Sequence, residues 1–163
     1  MMRSMMIRSI TDNDWPVILN IQAAVYPDIT PETETVLRSK LILGPQTCLT
    51  LTDQQNCVVG YCLAHPWSRN PAGLHTVYQP SSQPQLLYIH DMAIAPEYAG
   101  KRLGSQVVKY LQLWAKRQGY QEMSLVSLKQ AIGYWQRHGF KPHNYAIDEA
   151  QYGAGACYML KQI

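Results

Sequence analysis

The spacing of apolar and polar positions in the first quarter of the chain predicts one strand followed by two helices. Residues 7–10 form a short β-prone run, and capping residues then precede a helical pattern that ends at Tyr26-Pro27. A second helix is expected to start at Thr30-Pro31-Glu32, where a capping residue, a proline and an early acid follow one another. It is expected to end at Gly44-Pro45.

The middle of the chain predicts a hairpin, a long loop and a buried strand. Thr47–Thr52 and Cys57–Ala64 are β-prone runs separated by a polar turn, which is typical of a hairpin. Residues 65–85 contain four prolines and little periodicity, and loops of this length inside a domain are usually functional or disordered. Leu86–Ala95 is the most apolar run in the chain and predicts a buried central strand.

The second half continues with alternating helices and strands. The apolar face of residues 100–118 predicts a helix that is stopped by a glycine. A strand is expected over 123–128, a short helix over 130–138, a strand from Phe140, and a last strand over 156–160. No repeat or linker divides this order, so we expect one domain.

The expected domain covers residues 6–163. Two methionine pairs lie within residues 1–6, and residues 1–5 are set aside as residues of an uncertain start site or residues added during cloning. No apolar run approaches the ~18 residues of a membrane helix, and no secretory signal is evident, so we expect a cytoplasmic protein.

Composition excludes some classes and reveals a charge asymmetry. The 47% apolar content excludes a disordered chain, and the net charge of +3 is too small to indicate nucleic acid or membrane binding. Residues 98–141, however, hold eight cations and one acid, a net of +7 that leaves −4 for the rest of the chain. The C-terminal half is therefore the side suited to an anionic ligand.

Cysteines and histidines give no metal signature. The four cysteines form no CxxC pair and lie in apolar stretches, which favours buried thiols in a reducing compartment. The five histidines show neither HxxxH nor HExxH spacing, so no metal site is predicted.

The segment Ile94–Gly104 is the most informative for function. A buried strand ends there, and a turn with two glycines and two cations, Lys101 and Arg102, opens a helix. The free N–H groups and positive dipole of a helix N-terminus favour an anion, above all a phosphate group. Neither a Walker loop nor a GxGxxG sequence is present; the alternative is an ordinary turn with solvated cations.

This segment resembles motif A of the GNAT superfamily of N-acetyltransferases, in which a strand passes through P-x-x-R-G-x-G-x-G into a helix. The matching residues are Pro96, Gly100, Lys101, Leu103 and Gly104. Ala99 replaces the usual Arg or Gln, and Arg102 replaces a usual glycine.

A second segment, 131–140, resembles motif B of the same superfamily. Ala131, Gly139 and Phe140 align directly. Leu128 stands where an asparagine is usual, and Trp135 stands where the family often has the tyrosine proposed as general acid.

The resemblance implies an α/β (α+β) fold with a mixed, mostly antiparallel twisted sheet of about seven strands, about four helices, and splayed central parallel strands. It implies acetyl-CoA as co-substrate, no metal, and direct attack of a primary amine on the thioester. The residues implied to contact acetyl-CoA are Met92, Ala93, Ile94, Ala99, Gly100, Lys101, Arg102, Leu103, Gly104, Ser105, Leu128 and Trp135.

Candidate catalytic groups interrupt the apolar central strand. His90 aligns with a catalytic histidine of arylalkylamine acetyltransferases, and an imidazole suits a base for an ammonium substrate. Asp91 is a second candidate, as base or as ammonium anchor. Strand alternation predicts that the two point to opposite faces. Tyr134, one residue before the family position, is a candidate for the acid, as are Tyr152 and Tyr158; the alternative for Tyr134 is packing against the cofactor or the core.

The acceptor is expected to be the amine of a small molecule or peptide, and Trp67 and Tyr88 are predicted to contact it. The long loop either covers the acceptor pocket or is tucked onto the core. No polycationic acceptor, nucleic acid or membrane is indicated, and a homodimer is left open. The alternative function is a non-catalytic acetyl-CoA-binding regulatory domain on the same fold.

Overall fold

A seven-stranded mixed sheet organises the chain, with the strand order β1-β2-β3-β4-β5-β7-β6. A computed structural model describes residues 5–163; residues 1–4, which the sequence analysis set aside, lie outside the described residues. The strands are β1 Met6–Ser9, β2 Cys48–Thr52, β3 Val58–Trp67, β4 Leu86–Ile94, β5 Glu122–Ser127, β6 Lys141–Pro142 and β7 Cys157–Gln162. Among the strands of residues 5–163, only β4 and β5 pair in parallel, as the resemblance implied.

Five α-helices flank this sheet within residues 5–163. They are α1 Trp15–Val25, α2 Glu34–Leu43, α3 Leu103–Arg117, α4 Ile132–Arg137 and α5 Glu149–Tyr152. Short 3₁₀ turns precede α1, α3 and α4. The expected mixed sheet is confirmed, and the fifth helix is a single turn that no periodicity could predict.

The two faces of the sheet carry separate apolar clusters. Val107 and Leu111 of α3 pack on one face, whereas Ile18 of α1 and Leu37 of α2 pack on the other. Among the described residues, no helix has the length and apolarity needed to span a bilayer.

The start of α2 was predicted wrongly. The helix begins at Glu34, with Thr33 as its N-cap, because the Thr33 hydroxyl accepts the Val36 N–H at 3.3 Å. Glu32 is therefore not a first-turn residue of the helix. It lies in the α1–α2 connection, is only 5% exposed, and contributes to the site described below.

The strand β3 also extends further than predicted. It continues through Trp67, which pairs with Leu86, so the long loop is shortened to residues 68–85. The extension brings His65 into the sheet beside Tyr88 of β4.

Candidate active site

A β-bulge at His90 places both candidate bases on one face of the sheet. In the antiparallel β3–β4 pair, Ile89 is opposite Ala64 and Asp91 is opposite Leu63, so His90 is the extra residue. Before the bulge, Ile89 faces the α3 cluster; beyond it, Met92 does. The prediction that His90 and Asp91 point to opposite faces is therefore wrong, because it assumed an unbroken alternation.

The parallel strands separate at the same level. The pairing of β4 with β5 runs from Leu87 with Met123 to Ile89 with Leu125, and no further pair forms in residues 5–163. The resulting cleft of about 70 Å³ is lined by His90 and Asp91 from β4, Val126 and Leu128 from β5 and its end, and residues of the α1–α2 connection. The remaining lining residues are Gln22, Tyr26, Ile29, Thr30, Pro31, Glu32, Leu74 and Tyr152.

Glu32 is the direct partner of His90. Its Oε1 lies 2.8 Å from Nε2 of His90, and both side chains are almost fully buried. The amide of Gln22 fixes the backbone of Glu32, accepting its N–H at 3.0 Å and donating to its carbonyl at 3.1 Å. Burial opposes ionisation, but the hydrogen bond and charge of His90, with the N–H of His75 and nearby Lys40, hold the pKa of Glu32 below its usual value.

This pairing defines the two nitrogens of His90. An ionised carboxylate only accepts hydrogen bonds, so Nε2 carries the hydrogen. In the neutral ring the lone pair is then on Nδ1, which is buried and has no hydrogen-bond partner among the described residues. The imidazole is thus oriented by a carboxylate at one nitrogen, and its basic nitrogen has no hydrogen-bond partner among the described residues.

Asp91 is a carboxylate with a raised pKa beside this imidazole. Burial raises its pKa to about 6, although the hydrogen bond from the Tyr61 hydroxyl and the neighbouring His90 oppose the shift. Tyr61 donates to Oδ2 at 2.6 Å. Asp91 is therefore ionised at neutral pH and can attract an ammonium group in the cleft.

The turn after β4 has the geometry that an anionic ligand needs. Gly100 has φ +78°, and a side chain at that position would meet no atom within 4 Å, so the backbone is open to a ligand. Arg102 adopts φ 60° and ψ 24° immediately before α3, a left-handed conformation that a family glycine takes more easily. Arginine in place of the family glycine thus keeps the conformation of the turn and adds an exposed cation.

Tyr134 lies over the first turn of α3. A Cβ at Gly104 would be 1.9 Å from the Tyr134 hydroxyl and 3.2 Å from Cε of Met92, so only glycine allows this approach. Burial raises the pKa of Tyr134, and the phenol keeps its proton at neutral pH. Trp135 points instead into the core, where its ring packs at 5.4 Å from that of Phe140.

The other residues predicted to contact acetyl-CoA follow the same path from strand to helix. The Met92 carbonyl accepts the Tyr26 hydroxyl at 2.8 Å, and the Ala99 N–H is used within the turn, donating to Pro96. The remaining predicted contacts extend along β4 and into the start of α3: Ala93, Ile94, Lys101, Leu103 and Ser105.

The structure separates the predicted acceptor residues from the cleft. Trp67 stacks at 5.1 Å from His65 and at 5.3 Å from Tyr78, outside the cleft lining. Tyr88 is buried, with its hydroxyl donating to the Ala72 carbonyl. Tyr152 does line the cleft, but its hydroxyl also donates to Ala72, at 3.0 Å.

Glu32 and Tyr26 line the cleft but were not predicted as site residues. Glu32 was assigned to the start of a helix, and Tyr26 was treated only as a helix stop. The α1–α2 connection contains two acids, Asp28 and Glu32, and nothing in the sequence distinguishes Glu32 as the one that lines the cleft. No group of three or more possible metal ligands occurs in the part of the chain described.

Comparison with known proteins identifies the family and the fold. The sequence profile of the acetyltransferase (GNAT) family matches residues 10–140. No curated protein sequence matches the chain. Among solved structures, Ard1 from Thermoplasma volcanium is 16% identical, with a TM-score of 0.76 and coverage of 98% of this chain and 97% of that one.

Two further structures with this fold were solved with CoA ligands. The PaiA N-acetyltransferase from Thermoplasma acidophilum, in complex with coenzyme A, is 14% identical, with a TM-score of 0.69 and coverage of 98% and 99%. GphF, a GNAT-like decarboxylase in complex with isobutyryl-CoA, is 14% identical, with a TM-score of 0.80 and coverage of 96% and 98%.

The chain belongs to the acetyltransferase (GNAT) family. Its family match covers most of the sequence, and the splayed β4 and β5 with the turn into α3 provide the corresponding fold. Proteins of this family transfer acyl groups from CoA-type donors.

Proposed function

We propose that this protein is an acetyl-CoA-dependent N-acetyltransferase whose acceptor is the primary amine of a small molecule or peptide. The observation that carries the proposal is the bulge at His90. It brings His90 and Asp91 to the lining of one cleft, on the strand that leads directly into the turn proposed to bind phosphate. Acid–base groups for an amine and backbone groups for a CoA thioester are thereby adjacent.

The donor side is formed by the turn and the first part of α3. The backbone at Gly100–Gly104 and the cations Lys101 and Arg102 would hold the phosphates of acetyl-CoA. Residues 92–94 would position the arm that carries the acetyl thioester, which supplies the acetyl group. The basic residues 98–141 make this the electropositive half of the chain.

The acceptor side is formed by the cleft. Asp91 attracts the amine in its ammonium form, and His90 removes a proton through Nδ1 while Glu32 orients the ring. The neutral amine then forms the new C–N bond as the C–S bond breaks, and the nitrogen loses its second proton to water. Tyr134, which lies against Gly104, donates its proton to the departing thiolate. The Tyr134 phenolate then regains a proton from solvent.

The apolar part of the cleft limits the acceptor. Ile29, Leu74, Val126 and Leu128 lie in the same small space as the two acids. A primary amine on a short apolar group fits this cleft, because its ammonium group would pair with Asp91 and its carbon atoms would contact the apolar side chains. We also propose a cytoplasmic location, which the free state of all four cysteines supports.

The test is a panel of primary amines and amino-terminal peptides, assayed with acetyl-CoA by release of free CoA thiol. We expect transfer to at least one amine, and a loss of roughly 100-fold or more in kcat for His90→Gln. His143→Gln is the control, because that exposed histidine lies outside the cleft.

Two results would contradict the proposal. Stabilisation by acetyl-CoA without transfer to any amine would indicate the non-catalytic binding domain. An unchanged rate and pH profile in His90→Gln would remove His90 as the base.

A further inference from the structure

We propose that Leu74 selects the size of the acceptor, because segment 73–78 of the long loop holds this side chain in a fixed position in the wall of the cleft. This inference rests on the proposed function, in that it treats the cleft as the acceptor site. Segment 73–78 has no helix or strand, yet Leu74 is only 7% exposed and lines the cleft together with His90 and Asp91.

Three successive backbone N–H groups of the segment are bound by side chains. Gly73 donates to the Tyr78 hydroxyl at 2.8 Å, Leu74 to Oε1 of Gln151 at 3.0 Å, and His75 to Oε2 of Glu32 at 2.9 Å. The acceptors come from the loop itself, from α5 and from the α1–α2 connection. Such bonds make irregular backbone more rigid, so groups from three parts of the chain hold the backbone around Leu74 in place.

A buried lysine contacts the other end of the segment. Lys40 of α2 has no exposed surface; its Nζ donates to the Thr76 carbonyl at 3.1 Å and lies 4.7 Å from the centre of the Tyr78 ring. Burial lowers the pKa of Lys40, although Glu32 and Cys48 oppose the shift. A lysine is rarely buried this fully unless its charge is partnered, and here both partners belong to the segment.

The backbone conformation at His75 indicates that these contacts hold the segment in place. His75 has φ 60°, which is uncommon for a residue with a side chain. The bond from its N–H to Glu32 and the bond from Lys40 to the next residue fix both sides of this strained position. Segment 73–78 therefore has one defined conformation in the folded protein.

The chemistry of the cleft then assigns a role to the Leu74 side chain. An amine held at Asp91 directs its carbon substituent toward the apolar walls, and the cleft of about 70 Å³ admits only a few heavy atoms. Shortening Leu74 to alanine removes three carbon atoms from one wall, whereas phenylalanine adds to it. The two changes should move acceptor preference in opposite directions.

The experiment uses the full chain and the best amine of the panel, with homologues extended by one to three methylene groups. We expect Leu74→Ala to raise the ratio of kcat/KM for the longer amines to that for the shortest at least tenfold, and Leu74→Phe to lower it. The KM for acetyl-CoA should stay unchanged. Val77→Ala is the control, since Val77 is in the same segment but is 53% exposed and outside the cleft lining.

A binding measurement separates this inference from the proposed function. Titration calorimetry with CoA present reports the Kd of each amine without turnover, with n-alkylamines of two to six carbons as the probes. A shift of binding preference in Leu74→Ala supports the inference even if no acetyl transfer occurs. Folded Leu74→Ala and Leu74→Phe with the selectivity of the wild type, in both binding and turnover, would overturn it.

Discussion

Replacing Asp91 by asparagine tests the raised pKa on which ammonium capture depends. Burial raises this pKa from the ordinary 3.8 to about 6. The folded protein therefore binds a proton at Asp91 more tightly than the unfolded chain does. The contribution of Asp91 to folding is most favourable below pH 4 and is lost as the pH rises through 6.

The size of the effect follows from the shift. A difference of about two pKa units corresponds to about 3 kcal/mol in the free energy of unfolding, reached between full protonation and full ionisation. Between pH 5 and pH 8 the linkage relation gives roughly half of this, about 1.4 kcal/mol. An asparagine side chain does not ionise, so Asp91→Asn should gain stability relative to the wild type by that amount as the pH rises from 5 to 8.

Urea unfolding of both proteins at pH 5, 6, 7 and 8 measures this difference directly. The exposed Asp28 supplies the control, because Asp28→Asn should show no comparable trend. Equal pH dependence of Asp91→Asn and wild type would show that Asp91 is not held in an environment that disfavours its charge. The assignment of Asp91 as the ammonium anchor would then lose its electrostatic basis.

Three further variants test other parts of the structure. Glu32→Gln should lower kcat roughly 100-fold through loss of the oriented base, with thermal stabilisation by acetyl-CoA unchanged; an unaltered kcat would exclude the orienting role. Arg102→Gly should be more stable than Arg102→Ala by about 1 kcal/mol in urea unfolding, because the position is left-handed; the opposite order would contradict that conformation. Lys40→Met should lower the free energy of unfolding by roughly 1–3 kcal/mol and speed proteolysis within 73–78; cleavage at the wild-type rate would show that Lys40 does not hold the segment in place.

The order of strands and helices was predictable because it depends on local patterns. The apolar run at Leu86–Ala95 and the amphipathic residues 100–118 each correspond to one element, β4 and α3. The signals for α2 were ambiguous, since Thr30 and Thr33 both have capping side chains. Only the observed bond from Val36 decides between them.

The arrangement of the cleft was less predictable because it depends on contacts between distant residues. The bulge at His90 arises from the pairing of two strands, and nothing in the sequence of β4 alone specifies an extra residue there. The pair Glu32–His90 joins positions 58 residues apart, and an acid in a loop carries no signal of such a distant partner. The turn proposed to bind phosphate was easier to predict, because all of its residues are consecutive.

Glu32 connects the two parts of the acceptor site. Its Oε1 pairs with the imidazole of His90, and its Oε2 accepts the N–H of His75 in segment 73–78. A displacement of segment 73–78 therefore removes one of the bonds that orient the carboxylate, and a change at the carboxylate releases the segment. Residues sharing one hydrogen-bonded partner rarely act independently. The selectivity set by Leu74 and the proton transfer at His90 are for this reason expected to be coupled, so a variant that loosens the wall should affect the rate as well as the choice of amine.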